Sequence, residues 1–148
     1  MNHTSTSQVR EVVVKYRGPR FAQRAAISQS KDAATLLRKM LLDNSREHFL
    51  ALYLDGAHTA IGFSRFTGIA NACLVHPREI LQPALVLGAA ALIVAHNHPS
   101  GRTEPSESDS TTTNQIRNAC GVVGIRFLDH IVLGDAETFY SYSDHGHV

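Results

Sequence analysis

The sequence predicts one α/β domain in which a mixed β-sheet is flanked by helices. Three observations carry this: stretches with apolar residues at helical spacing, short alternating or fully apolar runs between them, and the order β-α-β-β-α-β-α-β-β in which they follow one another. A chain of 148 residues suits one domain. At this length folding buries roughly 70% of the unfolded chain's surface, enough for a core without disulfides.

After a polar start, "VREVVVKYR" is β-branched with a polar fringe and reads as a first strand ending before Gly18-Pro19. "KDAATLLRKMLLDN" places Ala33, Leu36, Leu37, Met40 and Leu41 on one helical face, with Ser30 as N-cap and Asp32 in the first turn. "EHFLALYLD" alternates: Phe49, Ala51, Tyr53 and Asp55 face one side and Leu50, Leu52 and Leu54 the other. "DGAH" then turns into "TAIGFSRFTG", which completes a hairpin.

"HPREILQPALVLGAAA" opens with Pro77 at a first helical position and carries Ile80, Ala84, Leu87 and Ala91 along one stripe, with Pro83 against it. "ALIVAH" is a fully apolar strand and "NHPSGRTEP" a long loop. "SESDSTTTNQIRNACGVVG" is a helix closed by glycine, and "IRFLDHIVLG" and "TFYSYS" are two further strands.

The net charge of +1 gives the chain as a whole no electrostatic pull toward nucleic acid. The N-terminal stretch has no signal-peptide h-region and no apolar run approaches the ~20 residues that span a bilayer. Cys73 and Cys120 form no C-x-x-C pair, so neither a disulfide framework nor a cysteine zinc site is expected. These features predict a protein of the cytoplasm without a membrane partner.

The chemistry concentrates in "VAHNHPSGRTEPSESDS", residues 94 to 110. Residues two apart on a strand share a face, so His96 and His98 project together while Asn97 points away. Two adjacent imidazoles can grip one ion, and zinc also accepts carboxylate oxygen, for which Asp109 is a candidate third ligand. Pro99, Gly101 and Pro105 shape the loop that returns to Asp109 at the third residue of a helix capped by Ser106. "SESD" is equally a capping box, which alone would explain Asp109.

The run H-x-H-P-x(6)-S-x-x-D resembles the JAMM motif of the Jab/MPN metalloenzymes. With "REHFLALYLD", "VHPREI" and "GIRFLDHIVLG" around it, the sequence resembles the RadC-like branch of that superfamily over roughly residues 24 to 143. The resemblance implies a single MPN (cytidine-deaminase-like) domain over 24–148, preceded by an extension with the first strand over 1–23. It implies zinc (Zn2+) held by His96, His98 and Asp109, with Glu47 upstream as the base that holds the water. Without the motif, Glu47 would read as a solvated glutamate at a helix–strand junction.

The activity implied is a zinc-dependent metalloprotease-type hydrolysis of amide bonds in a peptide or protein substrate. Glu47 would act as general base and then general acid, and Ser106 would donate to the oxyanion, cap its helix, or do both. A second-shell acceptor for each histidine is expected, from the loop backbone or a side chain. Arg102 places a cation in the loop where the family has an acid, suited to a substrate carboxylate or phosphate.

Cys73 stands where the family has serine and reads as a buried inert thiol. His48 is expected to be surface or structural, His76 a helix-start feature, Asp129 and His130 an internal hydrogen-bonded pair, and His145 and His147 part of a mobile tail. Longer RadC-like proteins carry a helix-hairpin-helix module, expected to be absent here, which weakens a DNA role. The alternative function is a DNA-repair or mobile-element-associated accessory protein whose metal is structural. A third is an interaction module with a degenerate site, against which the intact motif argues. Substrate, nucleic-acid association and oligomeric state stay open.

Overall fold

The computed structural model describes residues 25–67 and 75–148, together with Val13. The first strand expected at residues 9–17, and Cys73, lie outside the described residues. The described elements are α1 (Ser30–Met40), β1 (His48–Leu54), β2 (Ala60–Thr67), α2 (Pro77–Leu87), β3 (Ala91–Asn97), α3 (Glu107–Val123), β4 (Arg126–Leu133) and β5 (Phe139–Ser141). They form one five-stranded sheet in the order β2-β1-β3-β4-β5. Only β3 and β4 run parallel among these neighbours, joined through α3, so the sheet is mixed as predicted.

Every residue of β1 and β3 is buried, because helices cover both faces of the sheet. The alternation in β1 sorts its residues between two cores. Phe49, Ala51 and Tyr53 join Leu92, Val94, Ile80 and Ala84 of α2, and Ile116 and Cys120 of α3. Leu50, Leu52 and Leu54 join Ile93, Ala95, Ile131, Leu133 and the α1 residues Ala33, Ala34 and Leu37. Burial among these groups pushes the Cys120 thiol up to about 11, which makes it an inert core residue.

Local signals set the helix ends. His76 caps α2 by accepting from the Arg78 N–H at 3.1 Å, as expected for a helix-start feature. Gly88 and Gly124 close α2 and α3 with φ of +66° and +73°, a region that glycine enters without cost. Pro83 sits inside α2 without ending it. The lost N–H is outweighed by the burial of Ile80, Leu81 and Ala84 against the sheet. Ala91, expected at the end of that helix, begins β3 instead.

Two expectations change. Gln29, and not Ser30, caps α1, where its N–H and that of Ser28 both donate to the Asp32 carboxylate, at 3.2 and 3.0 Å. The Ser30 hydroxyl donates instead to Asp144 at 2.6 Å, tying the C-terminal segment to α1. That segment is accordingly packed: His145 stacks on Tyr140 at 4.1 Å and bonds the Ser141 carbonyl at 2.7 Å, while His147 Nδ1 meets the Tyr140 hydroxyl at 3.0 Å. The expected mobility of His145 and His147 is thus replaced by ring stacking and hydrogen bonds. No described helix is long and apolar enough to cross a membrane.

Candidate metal centre

The C-terminal end of β3, the N-terminus of α3 and the start of β1 meet at one end of the sheet. His96, the penultimate residue of β3, points to the face covered by α2 and α3 and is fully buried. Its ring stacks on Phe49, its cross-strand partner in β1, at 6.3 Å between centroids. His98 lies just past the strand end on the same side, and the two Nε2 atoms are 3.0 Å apart.

Asp109 arrives from the first turn of α3. Ser106 and Asp109 form a reciprocal capping box: the Asp109 N–H donates to Ser106 Oγ at 3.1 Å and the Ser106 N–H donates to Asp109 Oδ2 at 2.7 Å. The same carboxylate faces the histidines, with Oδ1 3.3 Å from His96 Nε2 and Oδ2 3.4 Å from His98 Nε2. One side chain can therefore cap the helix and still face the two imidazoles. Burial by itself pushes the Asp109 carboxyl up, but the adjacent His96 and His98 imidazoles and the Ser106 N–H outweigh it and hold it far below the usual carboxylate range.

Glu47 stands immediately before β1. Its carboxylate and the ligand atoms of His96, His98 and Asp109 all lie within 4.8 Å of one another. Burial raises the Glu47 carboxyl above its ordinary value, against the pull of the two histidines. That is the direction of shift that suits a carboxylate to general acid–base work.

The donor set fits a metal ion. Tetrahedral zinc with bonds of about 2.0–2.1 Å holds its ligand atoms roughly 3.3 Å apart. The three contacts among His96, His98 and Asp109 measure 3.0, 3.3 and 3.4 Å. His98 Nδ1 lies 3.0 Å from the Arg102 carbonyl, which can only accept, so the proton sits on Nδ1 and Nε2 offers a lone pair. This is the loop-backbone acceptor the sequence suggested. The loop is itself pinned, since Gly101, at φ +78°, donates to the His98 carbonyl and accepts from the Asp135 N–H in the β4–β5 turn.

Residues beyond the predicted ligand set, among them Thr113, which sequence reasoning passed over, complete the surroundings. The expected Asp129–His130 pair is made through the backbone, the His130 N–H donating to the Asp129 carboxylate, while their side chains follow opposite faces of β4 and do not pair. Asp129 accepts from the Ser141 hydroxyl at 2.6 Å and the Ser143 N–H at 3.0 Å. His130, fully buried, bonds His96 Nδ1 at 2.8 Å and Thr113 Oγ1 at 2.6 Å, and stacks on Tyr142. Thr113 was findable in principle, because it stands four residues after Asp109 and so on the same helix face. His48 is buried, as a structural role requires, and Arg102 is exposed on the loop.

A family model described as the RadC-like JAB domain matches residues 27–147. Among curated relatives, a UPF0758 protein of Halorhodospira halophila is 43% identical over 128 residues, covering 86% of this chain and 57% of the relative. A UPF0758 protein of Xylella fastidiosa is 42% identical over 123 residues, covering 82% of this chain and 54% of the relative. One of Coxiella burnetii is 39% identical over 137 residues, covering 92% of this chain and 61% of the relative. The chain thus spans little more than half the length of these relatives. With a cluster at the sheet end that could hold a metal ion and a family match over nearly all its described residues, the chain belongs to the RadC-like JAB domain family of the MPN superfamily.

Proposed function

We propose that this domain is a zinc-dependent hydrolase of amide bonds, acting on a peptide or protein substrate as a peptidase or isopeptidase. The observation that carries the reading is the convergence of Glu47, His96, His98 and Asp109, whose ligand atoms lie within 4.8 Å of one another. His96 and His98 supply two imidazole nitrogens and Asp109 a carboxylate oxygen, leaving Glu47 as the group beside the centre rather than a fourth ligand.

When bound, a zinc ion there supplies a Lewis acid that activates water and polarises a carbonyl. Glu47 takes the proton of the attacking water and delivers it to the departing amine as the C–N bond breaks, so its carboxylate is regenerated each turnover. Ser106 Oγ accepts the Asp109 N–H, which leaves its own O–H to donate to the oxyanion. Capping and oxyanion support use different sites of one hydroxyl and are compatible. Arg102, exposed on the adjoining loop, favours substrates with an acidic group near the scissile bond.

The test is elemental analysis of zinc in the wild type, His96→Ala and Glu47→Gln, followed by turnover of a peptide library. Glu47→Gln is expected to keep its metal and lose turnover, and His96→Ala to lose both. A wild type that holds no zinc overturns the reading.

A further inference from the structure

We propose that Thr113 and His130 form a hydrogen-bonded relay that fixes the tautomer of His96, so that its Nε2 lone pair faces the metal. The inference rests on the metal-site reading above and assigns a positioning role to two residues outside the ligand set.

The direction of each bond follows from which groups can only accept. Thr113 Oγ1 lies 2.7 Å from the Asp109 backbone carbonyl, which has no proton to give, so the single hydroxyl proton of Thr113 points there. Thr113 Oγ1 also lies 2.6 Å from His130 Nδ1, and with its proton engaged it can only accept, which places a proton on His130 Nδ1. His130 is fully buried, with a histidine and a threonine as its side-chain hydrogen-bond partners and Phe49 and Tyr142 against its ring. An imidazole in such surroundings is neutral and carries one proton. Its Nε2 is therefore a bare acceptor.

The bond between His130 Nε2 and His96 Nδ1, 2.8 Å long, then needs its proton from His96. With Nδ1–H donating to His130, His96 Nε2 presents a lone pair toward His98 and Asp109. The relay starts at the backbone of one ligand, Asp109 on α3, crosses β4 at His130 and ends on the ring of another, His96 on β3. It ties the orientation of one metal ligand to the helix turn that carries the other. His98 reaches the same tautomer independently, through the Arg102 carbonyl.

The experiment has two arms. Long-range 1H–15N correlation spectra of the zinc-loaded, 15N-labelled protein report which nitrogen of each histidine carries its proton. His130 is expected to be protonated at Nδ1 and bare at Nε2, with a through-hydrogen-bond coupling between His96 Nδ1 and His130 Nε2. In the second arm, zinc affinity is measured by chelator competition for the wild type, Thr113→Val and Thr113→Ser, each at a temperature where its circular dichroism is that of the folded protein. Thr113→Val, which keeps the shape and removes the hydroxyl, is expected to weaken zinc binding about 10- to 100-fold, and Thr113→Ser to restore it. A His130 protonated at Nε2, or a Thr113→Val variant that melts lower yet binds zinc as the wild type does, overturns the relay alone. A wild type that takes up no zinc overturns the metal reading itself.

Discussion

Asn97 and His48 are joined across β3 and β1 by a hydrogen bond of 2.8 Å, in which the His48 N–H donates to Asn97 Oδ1. The other half of the same carboxamide donates from Nδ2 to the Arg46 carbonyl at 2.9 Å. One side chain therefore clasps the backbone on both sides of Glu47. The middle letter of "HNH", pointing away from the histidines, holds the candidate base in place. Asn97→Ala is expected to keep its zinc, lose stability by about 1–3 kcal/mol through the buried amide left unpaired, and lower kcat more than it raises KM. Metal content, thermal melts and steady-state kinetics on one preparation check all three.

Ser106 offers a way to separate a structural from a chemical duty. Glycine substitutes for serine at an N-cap at a cost of only a few tenths of a kcal/mol, but it has no hydroxyl to donate. Ser106→Gly is thus expected to melt close to the wild type while turnover falls roughly 10²-fold or more. A variant that is stable and fully active would show that the hydroxyl serves the helix alone.

Gly101 carries a second stability test with a functional readout. It sits at φ +78°, and a Cβ added there would collide with the Asp135 carboxylate. Left-handed backbone at a residue with a Cβ costs roughly 1–2 kcal/mol before the collision is counted. Gly101→Ala is expected to destabilise by at least about that amount in denaturant titrations. It is also expected to weaken zinc binding, because the same loop carries the Arg102 carbonyl that orients His98.

Two aspartates give opposite pH signatures. Hydrogen bonds from the Ser28 hydroxyl and N–H hold the Asp32 carboxyl below its ordinary 3.8, so its stabilisation is complete above that value and fades as pH falls through the folded value. Burial raises the Asp129 carboxyl above 3.8, against hydrogen bonds from Ser141 and from the Ser143 and His130 backbone. The folded state there binds its proton more tightly than the unfolded chain, so stability falls as pH rises from 3.8 to the folded value. Melts of Asp32→Asn and Asp129→Asn between about pH 3 and 7 check the signs. The wild type's advantage over Asp32→Asn should grow with pH, and its advantage over Asp129→Asn should shrink.

Much of this arrangement was legible in the sequence where the signal is local. Period-two alternation located β1, a fully apolar run located β3, the helices were read from apolar spacing and helix-start signals, and a glycine marked where α3 stops. His96, His98 and Asp109 were readable because strand alternation and a helix start bring them to one place within a short span. What escaped depends on partners distant in the chain. Adjacent letters suggested pairing Asp129 with His130, and the His130 backbone N–H does reach the Asp129 carboxylate, but a strand sends neighbouring side chains apart, and the ring partner of His130 is set by β4 lying parallel to β3. Ser30 looked like a cap because its attachment to Asp144 lies at the far end of the chain.

The antiparallel pairing of β1 with β3 sets Phe49 opposite His96 and, continued outward, carries Glu47 toward His98. Side chains on a strand alternate with every residue, so a slip of one position would turn Glu47 away and exchange the residues feeding the two cores. Length changes are therefore tolerated unequally along this chain. The turn between Leu54 and Ala60 can gain or lose residues and leave the centre intact. A single deletion between Glu47 and Leu54 would leave His96, His98 and Asp109 in the sequence and still take the candidate base away from them.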